Sequence, residues 1–449
     1  MNYKEQNNEL IKNFLNRTFF KSWKEINPNL NSEKSQFFYG NYGSLELDFT
    51  DCCSSYCAYC YVKQHGKEYF PSNELKNPKI IYENSKILFK WLSENKFTPK
   101  IEMFGGDVLV QNVTYDIIPL ILDYSAKGTP IARSIVIPTN MDFLFNDKKT
   151  RLIEEYMKIS QEVNTPIFLS ASIDGKFMEE NRPIKDKRCI RDDHYYDRLF
   201  KFAQKYRIGF HPMVYSQNIK NWKNNFLWFQ EMFQKYNLPP NNMYLLEVRN
   251  KEWNEEECKE LYNFMKFLIK WVFDVIKNKE NPIRQFFQNH WSFNILSSLF
   301  SNVGRGLGCS LQSAIYLRLG DLTAFPCHRL FYDHFKLFSF IKENNKIIDI
   351  EAYNPELYIC TNSLESKNQP MCEQCLINEM CSHNCLGSSY EGMGDVFIPQ
   401  PSVCRMEFYK ILGILDGLKE INYLDNILNV ITKDKKFAIL RFLRRGGIE

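Results

Sequence analysis

Asp51-Cys52-Cys53-Ser54-Ser55-Tyr56-Cys57-Ala58-Tyr59-Cys60 is the stretch that decides how the rest of this chain is read. Cys53, Cys57 and Cys60 fall in a C-x3-C-x2-C spacing, which puts three thiolates into one short loop. Three is too many for one disulfide and one too few for a closed tetrahedral metal site. An iron–sulfur core held by three cysteines keeps one iron open to another ligand, so the loop reads as catalytic. The alternative is a zinc loop, or a set of buried and inert thiols. Cys52 lies outside this spacing, and a triad begun there would run C-x4-C-x2-C; it reads as a packing residue.

Outward from the loop, short β-rich runs alternate with segments of helical period. The expected strands are 44–50, 100–104, 134–139, 167–172, 209–215 and 243–248, and the expected helices 80–94, 116–124, 150–163, 195–206 and 222–236. Strands separated by helices imply a parallel sheet, open or curled into a partial barrel. Chemistry in such sheets gathers at the C-terminal ends of the strands. The cysteine loop follows the first strand and Gly105-Gly106-Asp107 the second. Thr139-Asn140 follows the third, and Ser172-Ile173-Asp174-Gly175 ends the fourth. Taken alone, Gly105-Gly106 needs no more than a tight turn, and Asp174 is expected to cap the turn after it. His211 and Arg249 end the fifth and sixth strands; each either faces substrate or serves the packing.

The cysteine run, with the aromatic Tyr59 ahead of its third cysteine, resembles the signature of the radical S-adenosylmethionine (SAM) enzymes. The resemblance implies an α/β chain whose residues 44–250 form a partial (β/α)6 TIM-like barrel. It also implies a 4Fe-4S cluster on Cys53, Cys57 and Cys60 whose open iron chelates SAM. In that family SAM is cleaved reductively, and the 5′-deoxyadenosyl radical takes a hydrogen from substrate. Gly105-Gly106-Asp107 resembles the family's Gly-Gly-Glu segment, whose backbone and acid receive the SAM amino group. Here the acid is one methylene shorter, and Val108 stands where proline is usual. Thr139-Asn140-Met141 resembles a Thr-Asn-Gly segment with its glycine replaced. Ser172 and Asp174 match a Ser-(Leu/Ile)-Asp-Gly segment whose serine lies near the SAM ribose and carboxylate. The implied SAM pocket is therefore Tyr59, Gly105, Gly106, Asp107, Asn140 and Ser172.

A second set of cysteines runs Cys372-x2-Cys375-x5-Cys381-x3-Cys385, then Cys404, with Cys309 and Cys327 upstream. A zinc ribbon or a pair of clusters is compatible with such a run, although the unequal gaps suit paired zinc knuckles poorly. The run resembles the SPASM extension that follows many radical SAM barrels. That resemblance implies two auxiliary 4Fe-4S clusters, three clusters in all. Cys372, Cys375, Cys381 and Cys404 would hold the outer one, and Cys309, Cys327 and Cys385 the inner one. Either Cys360 completes the inner cluster or an iron there stays open. Six residues separate Gly320 from Cys327, more than the usual four, which implies a longer hairpin. The expected organisation is an N-terminal helical segment (1–43), the barrel (44–250), a helical linker or insert (251–304), a small Cys-rich SPASM domain (305–410) and a helical tail (411–449). The insert could form a lid or pack as helices, and 433–445 is expected to be a helix with a solvated basic face or an acidic-peptide dock. Cys189 and Cys258 read as structural thiols.

Size and composition bound the rest. The chain has 449 residues, 44% hydrophobic and 24% charged, the balance of a soluble globular protein of about two to three domains. A net charge of +4 gives no argument for a nucleic-acid partner. No run of about 18 apolar residues calls for a membrane, and no signal-peptide pattern opens the chain. Fourteen cysteines in a reducing compartment point to metal, so a cytoplasmic location is expected.

Proteins of the resembled build mostly modify peptides. Sulfatase maturases of this kind carry an Asp directly after the cysteine equivalent to Cys327; here that residue is His328. Crosslinking or other modification of a ribosomally made precursor peptide is therefore the first expectation. Sulfatase-maturase-type oxidation of a protein Cys or Ser is the second, and a small-molecule dehydrogenase the third. Outside the enzymes the rivals are a zinc-stabilised binding protein and an electron carrier. His328 is the candidate proton acceptor, unless it only packs beside a cluster. The implied partners are a precursor peptide or protein substrate and an electron donor such as flavodoxin or ferredoxin. Only 43 residues precede the first strand, fewer than the ~50 of a small domain. A leader would then be bound by the barrel, by the insert or by a separate leader-binding protein.

Overall fold

Five short strands, β1 (Ser44–Asp48), β2 (Lys100–Phe104), β3 (Ser134–Thr139), β4 (Ile167–Ala171) and β5 (Gly209–Phe210), run parallel and lie side by side in chain order. The computed structural model describes residues 44–240, 242–284, 314–353, 370–381, 385–431 and 433–445. The expected segment 1–43, the insert beyond 284, Cys309 and Cys360 lie outside the described residues. Between the strands come α1 (Tyr61–Tyr69), α2 (Pro78–Glu94), α3 (Asn112–Ala126), α4 (Asp147–Glu162), α5 (Asp193–Tyr206) and α6 (Trp222–Lys235). The helices start where the sequence supplies caps. The side chains of Asn77, Asn146 and Asp192 accept backbone N–H groups of Lys79, Lys149 and Tyr195, and Pro78 opens α2.

Successive strand residues point to opposite faces, and the two faces here differ in kind. Leu45, Leu47, Ile101, Met103, Ile135 and Ile137 share one core with Leu88, Phe89 and Leu92 of α2 and Ile117 and Ile121 of α3. Each such side chain contributes roughly 1.5–3 kcal/mol by leaving water. On the other face Glu46, Glu102, Val136 and Phe168 stand opposite one another across four strands. Phe168 is 53% exposed there, so this inner face is not sealed as core.

The expected strand at 209–215 is split. β5 stops at Phe210, and β6 (Met213–Val214) pairs with β7 (Leu246–Glu247) in a separate two-stranded sheet, while Phe210 bridges to Met243. Pro212, which has no N–H to give a ladder, sits at the break. The α/β partial barrel is otherwise as the alternation implied.

The C-terminal half joins the same sheet. β8 (Ala314–Arg318) pairs in parallel with the free edge of β1. β9 (Thr323–Phe325), β10 (Phe338–Glu343) and β11 (Lys346–Ala352) then extend it antiparallel to nine strands. The β8–β9 turn lies against the 3-10 turn before α2: a Cβ on Gly320 would stand 2.2 Å from the Leu75 carbonyl oxygen.

Helices α7 (Glu255–Lys277), α8 (Leu386–Met393), α9 (Pro401–Glu420), α10 (Leu424–Val430) and α11 (Lys433–Arg445) complete the described chain. In α7, which begins at a capping box of Asn254 and Glu257, the first part of the insert is helix packed on helix. Gly413 and Gly417 of α9 let the two approach closely, a Cβ on Gly413 standing 2.5 Å from the Tyr262 carbonyl oxygen. In α11 Ile439 and Phe442 are buried, and Lys433 and Arg441 are exposed. Among the described residues no helix is long and apolar enough to cross a membrane.

Gly413→Val forces α7 and α9 apart. It is expected to lower stability by about 1–3 kcal/mol, read as an earlier urea midpoint at unchanged slope. An unmoved midpoint would contradict the close packing.

Candidate metal and cofactor site

The chain leaves β1 at Asp48 and is strapped over the neighbouring strand tips. Tyr56 N and Ala58 N donate to the carbonyls of Pro183 and Asn181 respectively, each at 2.9 Å, and Lys185 N donates to the Ser54 carbonyl at 2.8 Å. Asp107 N reaches the Cys52 carbonyl at 2.9 Å, and Asn250 Nδ2 reaches that of Tyr59 at 2.9 Å. The hydroxyls of Ser54 and Ser55 donate to Asp142, whose other oxygen takes Arg191 Nη2 at 2.8 Å. Cys52 does not pack as expected: its thiol is exposed, and its backbone makes the contacts.

This strapping presents three sulfurs, none in a disulfide, and each accepts an N–H. Cys53 Sγ accepts from Asn140 Nδ2 at 3.3 Å and from Ser55 N at 3.5 Å. Arg182 Nη1 donates to Cys57 Sγ at 3.9 Å. Lys63 N, at the start of α1, donates to Cys60 Sγ at 3.4 Å. Burial pushes the Cys53 thiol up to about 12, and Asp107 adds to the rise. Burial also raises Cys57, against the pull of Arg182. Such thiols ionise readily only when a metal neutralises them. Among the described residues no three His, Cys, Asp or Glu side chains converge as a single ion requires. Three sulfurs, each with an N–H donor directed at it, are a donor set that fits a multi-metal core.

Gly105 and Gly106 are more than a tight turn. At φ +95° and +41°, a Cβ would stand 2.1 Å from Asp48 Oδ1 on the first and 1.9 Å from the Cys52 carbonyl oxygen on the second. Asp107 turns inward: Oδ1 accepts from Leu109 N at 3.1 Å, and Oδ2 from Thr139 Oγ1 at 3.2 Å and Asn140 N at 3.0 Å. Burial pushes its carboxyl up to about 6, with Asp142 adding. Met141, where the resembled segment has glycine, keeps a left-handed backbone at φ +60°, at a cost of roughly 1–2 kcal/mol. Ser172 is half-buried, held by its N–H to the Thr139 carbonyl at 2.8 Å, and its hydroxyl has no partner among the described residues.

The ring of Tyr59 is buried beneath the Arg182 guanidinium and edge-on to Tyr215, and its hydroxyl donates to Asp174. Asp174 does not cap the following turn. It takes Tyr59, Arg182 Nε at 2.7 Å and Met213 N at 3.0 Å. Arg182 is the residue that the sequence reading missed. Its only linear signal is a place after the Ser-Ile-Asp-Gly segment, in Asn181-Arg182-Pro183.

Of the two strand-end residues, Arg249 is structural, paired with Glu407 of α9. His211 Nε2 is buried without a partner among the described residues, and burial pushes the ring down to about 4, Arg182 adding to the fall. His328 lies at the inner face, stacked on Phe104 at 5.2 Å with Nδ1 3.4 Å from Glu46 Oε2.

In the C-terminal half, burial pushes the Cys404 thiol up to about 11, with Cys372 and Cys375 adding to the rise. Cys381 and Cys385 both lie within electrostatic reach of Arg249. Arg329, two residues after Cys327, sets Nη1 4.0 Å from Cys385 Sγ and pairs with Glu391. Cys189 is half-buried and Cys258 fully buried.

No protein-family model and no curated protein sequence matches the chain. Solved structures do. Polyhistidine-tagged anSMEcpe with bound AdoMet superposes with a TM-score of 0.54 at 15% identity, over 89% of this chain and 98% of that one. The fold is a radical SAM/SPASM fold. Native anSMEcpe with AdoMet and the Cp18Cys peptide gives 0.54 at 14% identity, over 86% and 99%. Streptococcus suis SuiB bound to its precursor peptide SuiA gives 0.49 at 14%, over 83% and 78%, too low a score to bear an argument. Identities of this size speak for architecture and not for chemistry.

Gly106→Ala meets the Cys52 carbonyl and is expected to cost about 2 kcal/mol or more, read by chemical denaturation; full stability would contradict the contact. Asp48 gives a pH test, because burial pushes its carboxyl from 3.8 to about 7 against Tyr316 and Arg318. A carboxyl that holds its proton more tightly when folded stabilises the fold while protonated, an effect complete below about pH 3.8 and lost as pH rises through 7. The stability of Asp48→Asn relative to wild type should therefore climb between pH 4 and 7. A difference constant across that range would refute the assignment.

Proposed function

We propose that this chain is a radical SAM enzyme that takes a hydrogen atom from a peptide substrate. The observation that carries the reading is the pattern at the cysteine loop: three sulfurs outside any disulfide, each with an N–H donor directed at it. Hydrogen bonds to sulfur stabilise and tune iron–sulfur ligands. When bound, a 4Fe-4S cluster with SAM on its open iron supplies a 5′-deoxyadenosyl radical able to abstract hydrogen from an unactivated carbon.

The chain's own residues divide the remaining work. Cys53, Cys57 and Cys60 hold the metal, while Asn140, Arg182 and the Lys63 amide donate to their sulfurs. Gly105 and Gly106, packed against Asp48 and the Cys52 carbonyl, carry the backbone carbonyls that would receive the SAM amino group. Asp107, its Oδ2 engaged with the β3 tip, acts as a positioning residue for Asn140. Arg182 is a buried cation at the loop, suited to the SAM carboxylate, and the hydroxyl of Ser172, without a partner among the described residues, suits the ribose. Tyr59 forms the wall beneath Arg182. His328 accepts a proton from substrate at the inner face. Cys372, Cys375, Cys381 and Cys404 hold an outer auxiliary cluster, and Cys327 and Cys385, with Cys309, an inner one. Burial of the pocket keeps water from the reactive intermediate.

The substrate we favour is a ribosomally made precursor peptide, crosslinked or otherwise modified, with its leader bound by the barrel, the insert or a separate protein. Sulfatase-type oxidation of a Cys or Ser ranks second: the likeness to anSMEcpe is one of fold, and the expected Asp is His328. A flavodoxin or ferredoxin supplies electrons, in a reducing, oxygen-poor cytoplasm.

Anaerobic reconstitution tests the reading. A brown protein with about twelve irons per chain is expected, releasing 5′-deoxyadenosine from SAM under dithionite. Replacing Cys53, Cys57 and Cys60 together by alanine should remove about a third of the iron and all of the nucleoside; retention of either outcome sinks the reading. Arg182→Gln should weaken SAM binding about tenfold or more, measured by equilibrium dialysis and referred to the protein that retains its iron.

A further inference from the structure

The cysteine loop reaches the surface at Tyr56, whose ring is 50% exposed and is clamped between two ammonium groups. Lys185 Nζ lies 4.5 Å and Lys63 Nζ 4.7 Å from the ring centroid. Lys67 and Lys187 add two more exposed cations, and Ile190 is 66% exposed nearby in sequence. The carboxylates on these same segments are already engaged: Asp186 takes Arg188 at 2.8 and 2.6 Å, and Glu68 faces His65 at 3.2 Å. Lys63, Lys67, Lys185 and Lys187 have no carboxylate partner among the described residues. An exposed aromatic ring held between two cations, with further exposed cations and an exposed aliphatic side chain close in sequence, has the composition of a transient protein interface.

The place of this patch matters as much as its charge. Tyr56 sits between Cys53 and Cys57, and Lys185 is strapped to Ser54. Electron tunnelling weakens steeply with distance, so a donor must dock where the metal loop meets the surface. Cys375, which is exposed, and Cys404 offer the other approach, but among the described residues the charges beside them in sequence are Glu373, Glu379 and Arg405, with no cluster of cations. An acidic protein is drawn to the first face and not to the second.

We propose that the Tyr56–Lys63–Lys185–Lys187 face docks a small acidic flavin-bearing one-electron donor of the flavodoxin type, which delivers its electron directly at the Cys53–Cys60 loop. The proposal rests on the cluster reading above. The flat Tyr56 ring offers a surface for the exposed edge of the flavin. One electron leaves the reduced flavin for each SAM cleaved to methionine and 5′-deoxyadenosine, whose added hydrogen atom comes from the substrate; the substrate radical left behind would give its electron to an oxidised auxiliary cluster and a proton to His328.

The test compares two reductants on the reconstituted, full-length holoenzyme: a recombinant bacterial flavodoxin, reduced by its reductase, and dithionite. In wild type the flavodoxin-driven rate should fall steeply as salt rises, and the dithionite-driven rate should not. Lys185→Glu/Lys187→Glu should slow the flavodoxin-driven rate by about tenfold or more at low salt, with the dithionite-driven rate within about twofold of wild type. A flavodoxin-driven rate unchanged by the double reversal overturns the proposal. So does an equal loss with both reductants, because the lysines would then act on the site and not on the donor. Lys67→Glu gives a second reading of the same face where the double variant folds poorly. No 5′-deoxyadenosine from wild type with dithionite is a different result, the failure of the enzyme reading itself.

Discussion

The contact between the Gly106 backbone and the Cys52 carbonyl fixes where the cysteine loop lies, and most of the site follows from it. No side chain fits between them, and Asp107 N closes the contact with a hydrogen bond. From there the strand tips are linked in series. Asp107 holds Asn140 N, Ser172 N reaches the Thr139 carbonyl, and His211 N reaches that of Ala171 at 2.8 Å. Five tips thus form one rim, and the side chain that touches Cys53 is set by a carboxylate at the neighbouring strand tip.

A second constraint is electrostatic. The segment from Asp174 to Arg191 carries buried opposite charges: Asp174 with Arg182, and Arg191 with Asp142 and Glu179. Buried ion pairs of this kind add little net stability, yet removing one partner costs about 3–5 kcal/mol because the other is left uncompensated. Their effect is to specify geometry. They pin the strap that carries the Pro183 and Asn181 carbonyls, and through it the loop between Cys53 and Cys60.

Much of this was legible in the chain itself. Period-2 and helical-period runs gave the first four strands and their helices, because each apolar face is buried against the other. The polar tips were legible because apolar packing does not call for polar residues there. What escaped the linear reading depends on distance in space. Arg182 has no local pattern, and its role comes from Asp174 and Cys57, which converge only in the fold. Asp107 reads as a ligand by its position but turns to its neighbours, because the left-handed glycines before it aim the chain at β3. The fifth strand was overrun at Pro212, and the C-terminal meander of β10 and β11 was missed because β11 alternates without one fully buried side chain.

The pairing of β8 with β1 has a consequence for how the chain is made. Ser44 lies opposite Ala314, so among the described residues the strand that precedes the cysteine loop has no partner on that edge until the chain has been made past residue 314. Until then that edge is a template for any passing strand. Any truncation upstream of β8 would leave it permanently open, which makes such fragments prone to self-association however well the first five strands close.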